Sequence, residues 1–151
     1  MQDVKKIETF LRKVDHSFPV PISQKTDIHE YAEKLAEKAD VMSREENGEI
    51  LSAVFGYTEN VICDMAYISA AATLPEHQGK GFAKELVKEF IASAKSKGLK
   101  AVHLYAVADN LSAVRMYRHL GFQEYYPENE PRPSDLHLIY RIDAEAGTSS
   151  D

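Results

Sequence analysis

The residues best suited to chemistry lie between Thr73 and Leu86, in the stretch TLPEHQGKGFAKEL. An apolar, small-residue run from Met65 to Leu74 leads into it, and Phe82, Leu86, Val87, Phe90, Ile91 and Ala94 then recur at helical spacing. Gln78 to Ala83 therefore fall at a helix N-terminus, where the first backbone N–H groups have no intrahelical partner and the macrodipole presents partial positive charge. Gly79 and Gly81 carry no Cβ, so an anion can approach the main chain closely. The chemistry is that of a phosphate or pyrophosphate cradle, with plain turn formation as the competing reading. Two phosphate loops are excluded by spacing: the third Rossmann glycine position is Lys84, and no Ser or Thr follows a Gly-Lys pair. A second constellation is Asn110, opening a short helix, with Tyr117 about two turns further on. The two side chains project on one side, about 10 Å apart along the axis. Taken singly, Asn110 reads equally as a helix cap and Tyr117 as a core aromatic.

The elements that must position these residues follow from periodicity. Val4, Ile7, Phe10, Leu11 and Val14 predict a helix from Asp3 to about Val14, which Pro19 and Pro21 prevent from continuing. Asp27, with Glu30 in capping-box register, starts a second helix whose apolar stripe is Ile28, Tyr31, Ala32, Leu35 and Ala39. Both helices are expected on one sheet face. Asn47-Gly48 between Asp40–Arg44 and Glu49–Thr58 predicts a hairpin. The strand ending at Leu74, the long helix to Lys97 capped by Gly98, and a strand over Lys100–Val107 make a βαβ unit, so the two strands are expected to be parallel. The helix from Asn110 should end at Gly121, with strands over Phe122–Tyr126 and Leu136–Asp143 after it. Between those strands, Pro127, Pro131 and Pro133 stiffen a loop of the kind that walls a binding site. One domain over 1–143 and a polar tail over 144–151 are expected.

Composition bounds the class. Apolar residues make up 44% and charged residues 28%, ordinary values for a soluble globular chain, and the net charge of −6 argues against nonspecific nucleic-acid binding. Cys63 is the single cysteine, so no internal disulfide or thiolate metal cluster can form. The histidines show no paired-ligand spacing, and no metal is expected. No apolar run approaches the roughly 20 residues of a membrane span, nor does the N-terminus carry a signal-type core, so no membrane partner and a cytoplasmic location are expected.

Gln78-Gly79-Lys80-Gly81-Phe82-Ala83 resembles the Gln/Arg-x-x-Gly-x-Gly/Ala coenzyme A pyrophosphate loop of the GNAT superfamily of N-acetyltransferases. The run from Asn110 through Tyr117 to Leu120-Gly121-Phe122 resembles the second signature of the same superfamily. The likeness covers Ala66 to Tyr126 well and the preceding elements in order and type. It implies a mixed α/β (α+β) fold, with a largely antiparallel sheet, one splayed parallel strand pair and flanking helices. It also implies that acetyl-CoA is the cosubstrate. The loop residues would hold the pyrophosphate, Ala71, Ala72 and Thr73 would pair with the pantetheine like an extra strand, and Asn110 would hydrogen-bond its arm. Tyr117 would reach the sulfur and protonate the leaving thiolate. Strands held together near the loop and splayed beyond it would leave unpaired backbone groups facing such a cleft.

The acceptor implied is a primary amine, on a small molecule or a protein, attacking the thioester directly, because Cys63 lies about ten residues upstream of the thioester-binding segment. It would approach near the second helix, the Pro127–Pro133 loop and the last strand. An alkylammonium with a pKa near 10.4 must lose a proton, at a cost of roughly 4 to 5 kcal/mol at pH 7. Ribosomal-protein alanine acetyltransferases of the superfamily carry a Glu five residues before the motif Asn, where this chain has Tyr105. That departure argues against a ribosomal acceptor and leaves the base open among Asp64, Tyr67, Ser69, His103, His137 and a water chain. A non-catalytic acyl-CoA-binding regulatory module and a nucleotide-binding regulator are the competing classes. The sequence does not fix oligomeric state, a homodimer included.

Overall fold

The computed structural model describes residues 3–18 and 20–143, so Pro19 and the expected tail over 144–151 lie outside the described residues. Helix α1 spans Val4–Val14 and α2 spans Ile28–Lys38. Each begins on an aspartate whose carboxylate accepts a backbone N–H three residues on, Asp3 from Lys6 at 3.2 Å and Asp27 from Glu30 at 3.0 Å. Strands β1 (Asp40–Glu46) and β2 (Glu49–Tyr57) form the expected hairpin, with Asn47 and Gly48 at φ 53° and 78° as an Asn-Gly turn requires. β3 (Met65–Thr73), α3 (Phe82–Ser96) and β4 (Ala101–Ala106) make the crossover unit. α4 (Leu111–Leu120), β5 (Gln123–Glu124) and β6 (Leu136–Arg141) complete the chain.

One six-stranded sheet runs in the order β1-β2-β3-β4-β6-β5, antiparallel throughout except for the parallel pair β3 and β4. Phe10, Leu11 and Leu35 of α1 and α2 pack with Ala53 and Phe55 on one face. Leu86, Phe90 and Ala94 of α3, with Tyr117 of α4, pack with Val54, Val102 and Leu104 on the other. Two short helix faces and one long one thus bury the sheet on both sides, which accounts for the near-continuous apolar run in β2.

The strands β3 and β4 pair only from Met65↔Ala101 to Ile68↔Leu104, and then part. Their pairing is at the ends remote from the Gln78 loop and the splay opens toward it, the reverse of the expected sense. The cause is local. On β3 the register against β2 shifts between Gly56↔Ile68 and Phe55↔Ala70, leaving Ser69 as a bulge that bends the strand away from β4. The expected strand over Phe122–Tyr126 is reduced to Gln123–Glu124, because Phe122 turns into the core beneath Tyr117 and Pro127 follows two residues after Tyr125 bonds His137.

Candidate active site

The wedge between the parted strands is the centre of the site. Leu74 N donates to Leu51 O, so along β3 the backbone groups of Ala72 and Ala70 also point to β2, while those of Ala71 and Thr73 point into the wedge. Ala72 thus reaches the cleft with its surface and not with its N–H. Gln78 Nε2 donates to Thr73 O at 3.3 Å, tying the loop to the strand and leaving Ala71 as the most open strand position. Thr73 shares its hydroxyl with Ser52 at 2.8 Å.

The loop itself is shaped by Gly79 and Gly81, at φ 81° and 82°, a left-handed conformation that any side chain would strain. Gly81 stands at the N-cap of α3, where α1 and α2 have aspartates, and supplies no capping side chain. Among the described residues no hydrogen-bond partner meets the N–H groups of Gly79, Lys80, Gly81, Phe82 or Ala83. Phe82 anchors the loop, stacked on His77 and capped by the Arg44 guanidinium 5.3 Å from its ring centre. The Lys80 ammonium turns to His77 Nδ1 at 3.0 Å.

A cleft of about 820 Å³ gathers Ala71, Ala72, Thr73, Gln78, Gly79, Gly81, Phe82, Ala83, Asn110 and Tyr117, every residue expected at the coenzyme except Lys80. The sequence reading missed Arg115 and His119, which also line it. Their spacing of four on α4, with Ser112 on the same face, was the available signal. Asn110 makes no capping bond to α4, so its amide is left to face the cleft.

Ala71, Asn110 and Tyr117 also border a deeper chamber of about 500 Å³, whose far wall is Tyr67, Ser69, Tyr105 and Arg132. Tyr67 and Tyr105 in turn border a groove of about 900 Å³ on the α2 face, with His103, His137, Tyr125, Pro127 and Pro131. One passage therefore crosses the sheet at the splay. Tyr117 is buried, packed edge-on against Phe122, and burial pushes its phenol up to about 12.

The candidate bases separate by position. Asp64 borders none of the three spaces. Ser69 is held by the Tyr31 hydroxyl at 3.0 Å, which anchors the bulge to α2. Tyr67 packs on the His103 ring at 5.1 Å. His103 Nδ1 and His137 Nε2 are 2.8 Å apart, and His137 Nδ1 lies 2.7 Å from Glu130 Oε2. Glu130 escaped the sequence reading altogether. It sits in the proline-rich loop and accepts from the Tyr105 hydroxyl at 2.8 Å and from Arg132 N at 3.0 Å. Cys63 lies in the outer groove and borders neither the chamber nor the cleft at the Gln78 loop. No cluster of three metal-ligating side chains occurs among the described residues.

Residues 7–122 match the model of the acetyltransferase (GNAT) family, and the chain belongs to that family. It is 29% identical over 133 residues to the ribosomal protein bS18 alanine N-acetyltransferase of Escherichia coli, covering 84% of each chain. It is 37% identical over 71 residues to the mycothiol acetyltransferase of Actinosynnema mirum, a match that takes in 47% of this chain but spans only 24% of that relative's length. In fold it resembles the PaiA N-acetyltransferase of Thermoplasma acidophilum in complex with coenzyme A, with a TM-score of 0.72 at 16% identity over 93% of this chain and 96% of that one.

Proposed function

We propose that this chain is an acetyl-CoA-dependent N-acetyltransferase that passes the acetyl group to a primary amine by direct attack. The observation that carries the reading is the passage through the splay, with Asn110 and Tyr117 on the coenzyme side and Tyr67 and Tyr105 on the acceptor side. Unsatisfied N–H groups from Gly79 to Ala83 take the pyrophosphate, and the wedge-facing groups of Ala71 and Thr73 receive the pantetheine as a further strand. The Ala71 N–H is aimed where the thioester carbonyl becomes an oxyanion.

Tyr117 is the acid for the departing sulfur. With its phenol near 12, transfer to a thiolate of ordinary pKa 8.5 would be uphill by roughly 5 kcal/mol. The same dry surroundings raise the thiol, so the gap narrows when the sulfur is in place. Direct attack is favoured because Cys63 shares no space with Tyr117.

Relatives named for mycothiol and for a ribosomal-protein alanine support an amine acceptor, on a small molecule or on a protein. Cytoplasmic location is part of the same proposal; among the described residues no helix is long and apolar enough to cross a membrane. The burial of the Tyr117 phenol favours one rival, a non-catalytic acyl-CoA-binding module. Thiol release from acetyl-CoA with glucosamine, spermidine, lysine and a peptide with a free N-terminal alanine decides between them. Turnover with mass gain on the amine supports the enzyme, and tight coenzyme binding without turnover supports the module.

A further inference from the structure

The ammonium proton of the acceptor has no destination in the transfer just described, and three side chains on the acceptor face form a wire suited to take it. His137 is among the few buried polar residues of the sheet, with its Nδ1 on Glu130. Burial pushes the Glu130 carboxyl up, but bonds from Arg132 N, Tyr105 and His137 outweigh it and hold the group below its ordinary range. An ionised carboxylate only accepts, so His137 Nδ1 carries the hydrogen. In the neutral His137 ring the Nε2 is then a lone pair, and His103 Nδ1 is the donor across the 2.8 Å contact. By elimination His103 Nε2 carries a lone pair, and it has no hydrogen-bond partner among the described residues.

His103 stands one residue before the last β3–β4 pair, on the face that lines the acceptor groove. Tyr67 from β3, Tyr105 of its own strand and His137 of β6 are the titratable groups in ring contact with it. Across the groove stand Lys34, Glu37 and Lys38 of α2 and Glu59 and Cys63 of the loop before β3, where the charged side chains are two of each sign.

We propose that His103 Nε2 accepts the acceptor's ammonium proton, directly or through one water, and that His137 and Glu130 hold the resulting charge. The step rests on the acetyl-transfer reading. An N–H bond of the ammonium breaks and its proton bonds to His103 Nε2. The proton on His103 Nδ1 passes to His137 Nε2, and the amine keeps the electron pair with which it attacks the thioester carbon. One positive charge has moved from the amine to His137, beside the Glu130 carboxylate. Burial and the neighbouring imidazole lower the His103 pKa to about 4, so charge does not rest there and is passed on. His103 is the group that touches the substrate, and His137 and Glu130 are positioning residues.

The test joins a spectrum to a rate. Assigned ¹⁵N spectra of the wild type at pH 7 are expected to show a neutral His103 ring with its hydrogen on Nδ1, and hydrogen on His103 Nε2 instead would overturn the wire. With acetyl-CoA and the best amine of the four above, His103→Gln should lower kcat/KM for the amine about 10²-fold at pH 7. The deficit should shrink near pH 10, where the amine sheds its own proton in solution. Added imidazole should restore part of the rate to His103→Ala. Glu130→Gln, a loop substitution that spares the core, should cost about tenfold at pH 7 with KM for acetyl-CoA unchanged. Equal losses at both pH values, or none, would overturn the proposal while leaving acetyl transfer intact. Absence of thiol release from the wild type with every amine would overturn acetyl transfer and this step with it.

Discussion

The Tyr105 hydroxyl donates to Glu130 Oε1 at 2.8 Å, joining the C-terminal end of β4 to a loop 25 residues further along the chain. Tyr105 holds the strand position at which ribosomal-protein alanine acetyltransferases are expected to carry a carboxylate. Here the loop brings the Glu130 carboxylate to the hydroxyl end of Tyr105. The ring is stacked on His137 at 4.2 Å and covered by the Arg132 guanidinium at 4.6 Å. Burial, then the Glu130 carboxylate, push its phenol up to about 12. It therefore serves as a fixed donor throughout the neutral range.

Tyr105→Phe keeps the stack and deletes only that donor. A hydrogen bond to a charged acceptor contributes about 1.5 to 3 kcal/mol, and exposure of the loop places this one at the low end. Urea unfolding should show a loss of about 1.5 kcal/mol, and amide exchange at Arg132 and Asp135 should quicken. An unchanged midpoint together with unchanged exchange would show that the loop is held by other contacts.

For Tyr117→Phe the expected result is kinetic. The substitution keeps the edge-on packing against Phe122, and the phenol has no hydrogen-bond partner among the described residues, so the fold should lose little. Loss of the proton donor should lower kcat about 10- to 10²-fold with KM for acetyl-CoA changed little. A rise in KM with kcat preserved would mean that the hydroxyl binds the coenzyme and protonates nothing.

At Gly81 the added methyl of Gly81→Ala would meet nothing within 4 Å, yet φ is 82°. The cost is therefore conformational, about 1 kcal/mol, and a chain that relaxes toward negative φ re-aims the N–H groups of the loop. Calorimetric titration should show weaker binding of both coenzyme A and inorganic pyrophosphate. Equal weakening of a dephosphorylated pantetheine would place the defect elsewhere.

Much of this arrangement was legible from residue types. Asp3 and Asp27 cap their helices with their own carboxylates, Asn47-Gly48 fixes its turn through its own backbone, and the Gln78–Ala83 and Asn110–Phe122 motifs lie within single strand-to-helix units. The remainder depends on contacts between distant segments. Nothing in Ile68-Ser69-Ala70 marks Ser69 as the bulge, because its register is set by the partner strand. Glu130 looks like any loop carboxylate until β4 and β6 bring Tyr105 and His137 to it.

Gly56 shows how tightly the splay is held from behind. Its Cβ, if present, would lie 2.5 Å from the Phe90 ring and 2.7 Å from Tyr67 O. Phe90 is wholly buried and the carbonyl belongs to the bulged strand, so neither can move aside cheaply. Gly56→Ala should cost about 3 kcal/mol in urea. If it were tolerated within about 0.5 kcal/mol, the close approach of β2, β3 and α3 would be wrong.

The dependence of stability on pH follows from the two imidazoles with opposite surroundings. Burial and His137 lower His103 from 6.5 to about 4. Between those values the unfolded chain binds the extra proton, so stability present above pH 6.5 is lost as pH falls toward 4, and below 4 no more is lost. The full shift would amount to about 3 kcal/mol, and partial exposure of the ring reduces that to about 2. His29 works the other way: its bond to Glu8 raises its pKa, so its contribution is complete below 6.5 and fades as pH rises above that. It is more than half exposed, and His103 sets the acid limb. Comparing urea midpoints at pH 7 and pH 4 for wild type and His103→Gln removes the carboxylates common to both. The variant should lose less stability than the wild type over that interval, and parallel curves would mean that His103 titrates as it does in water.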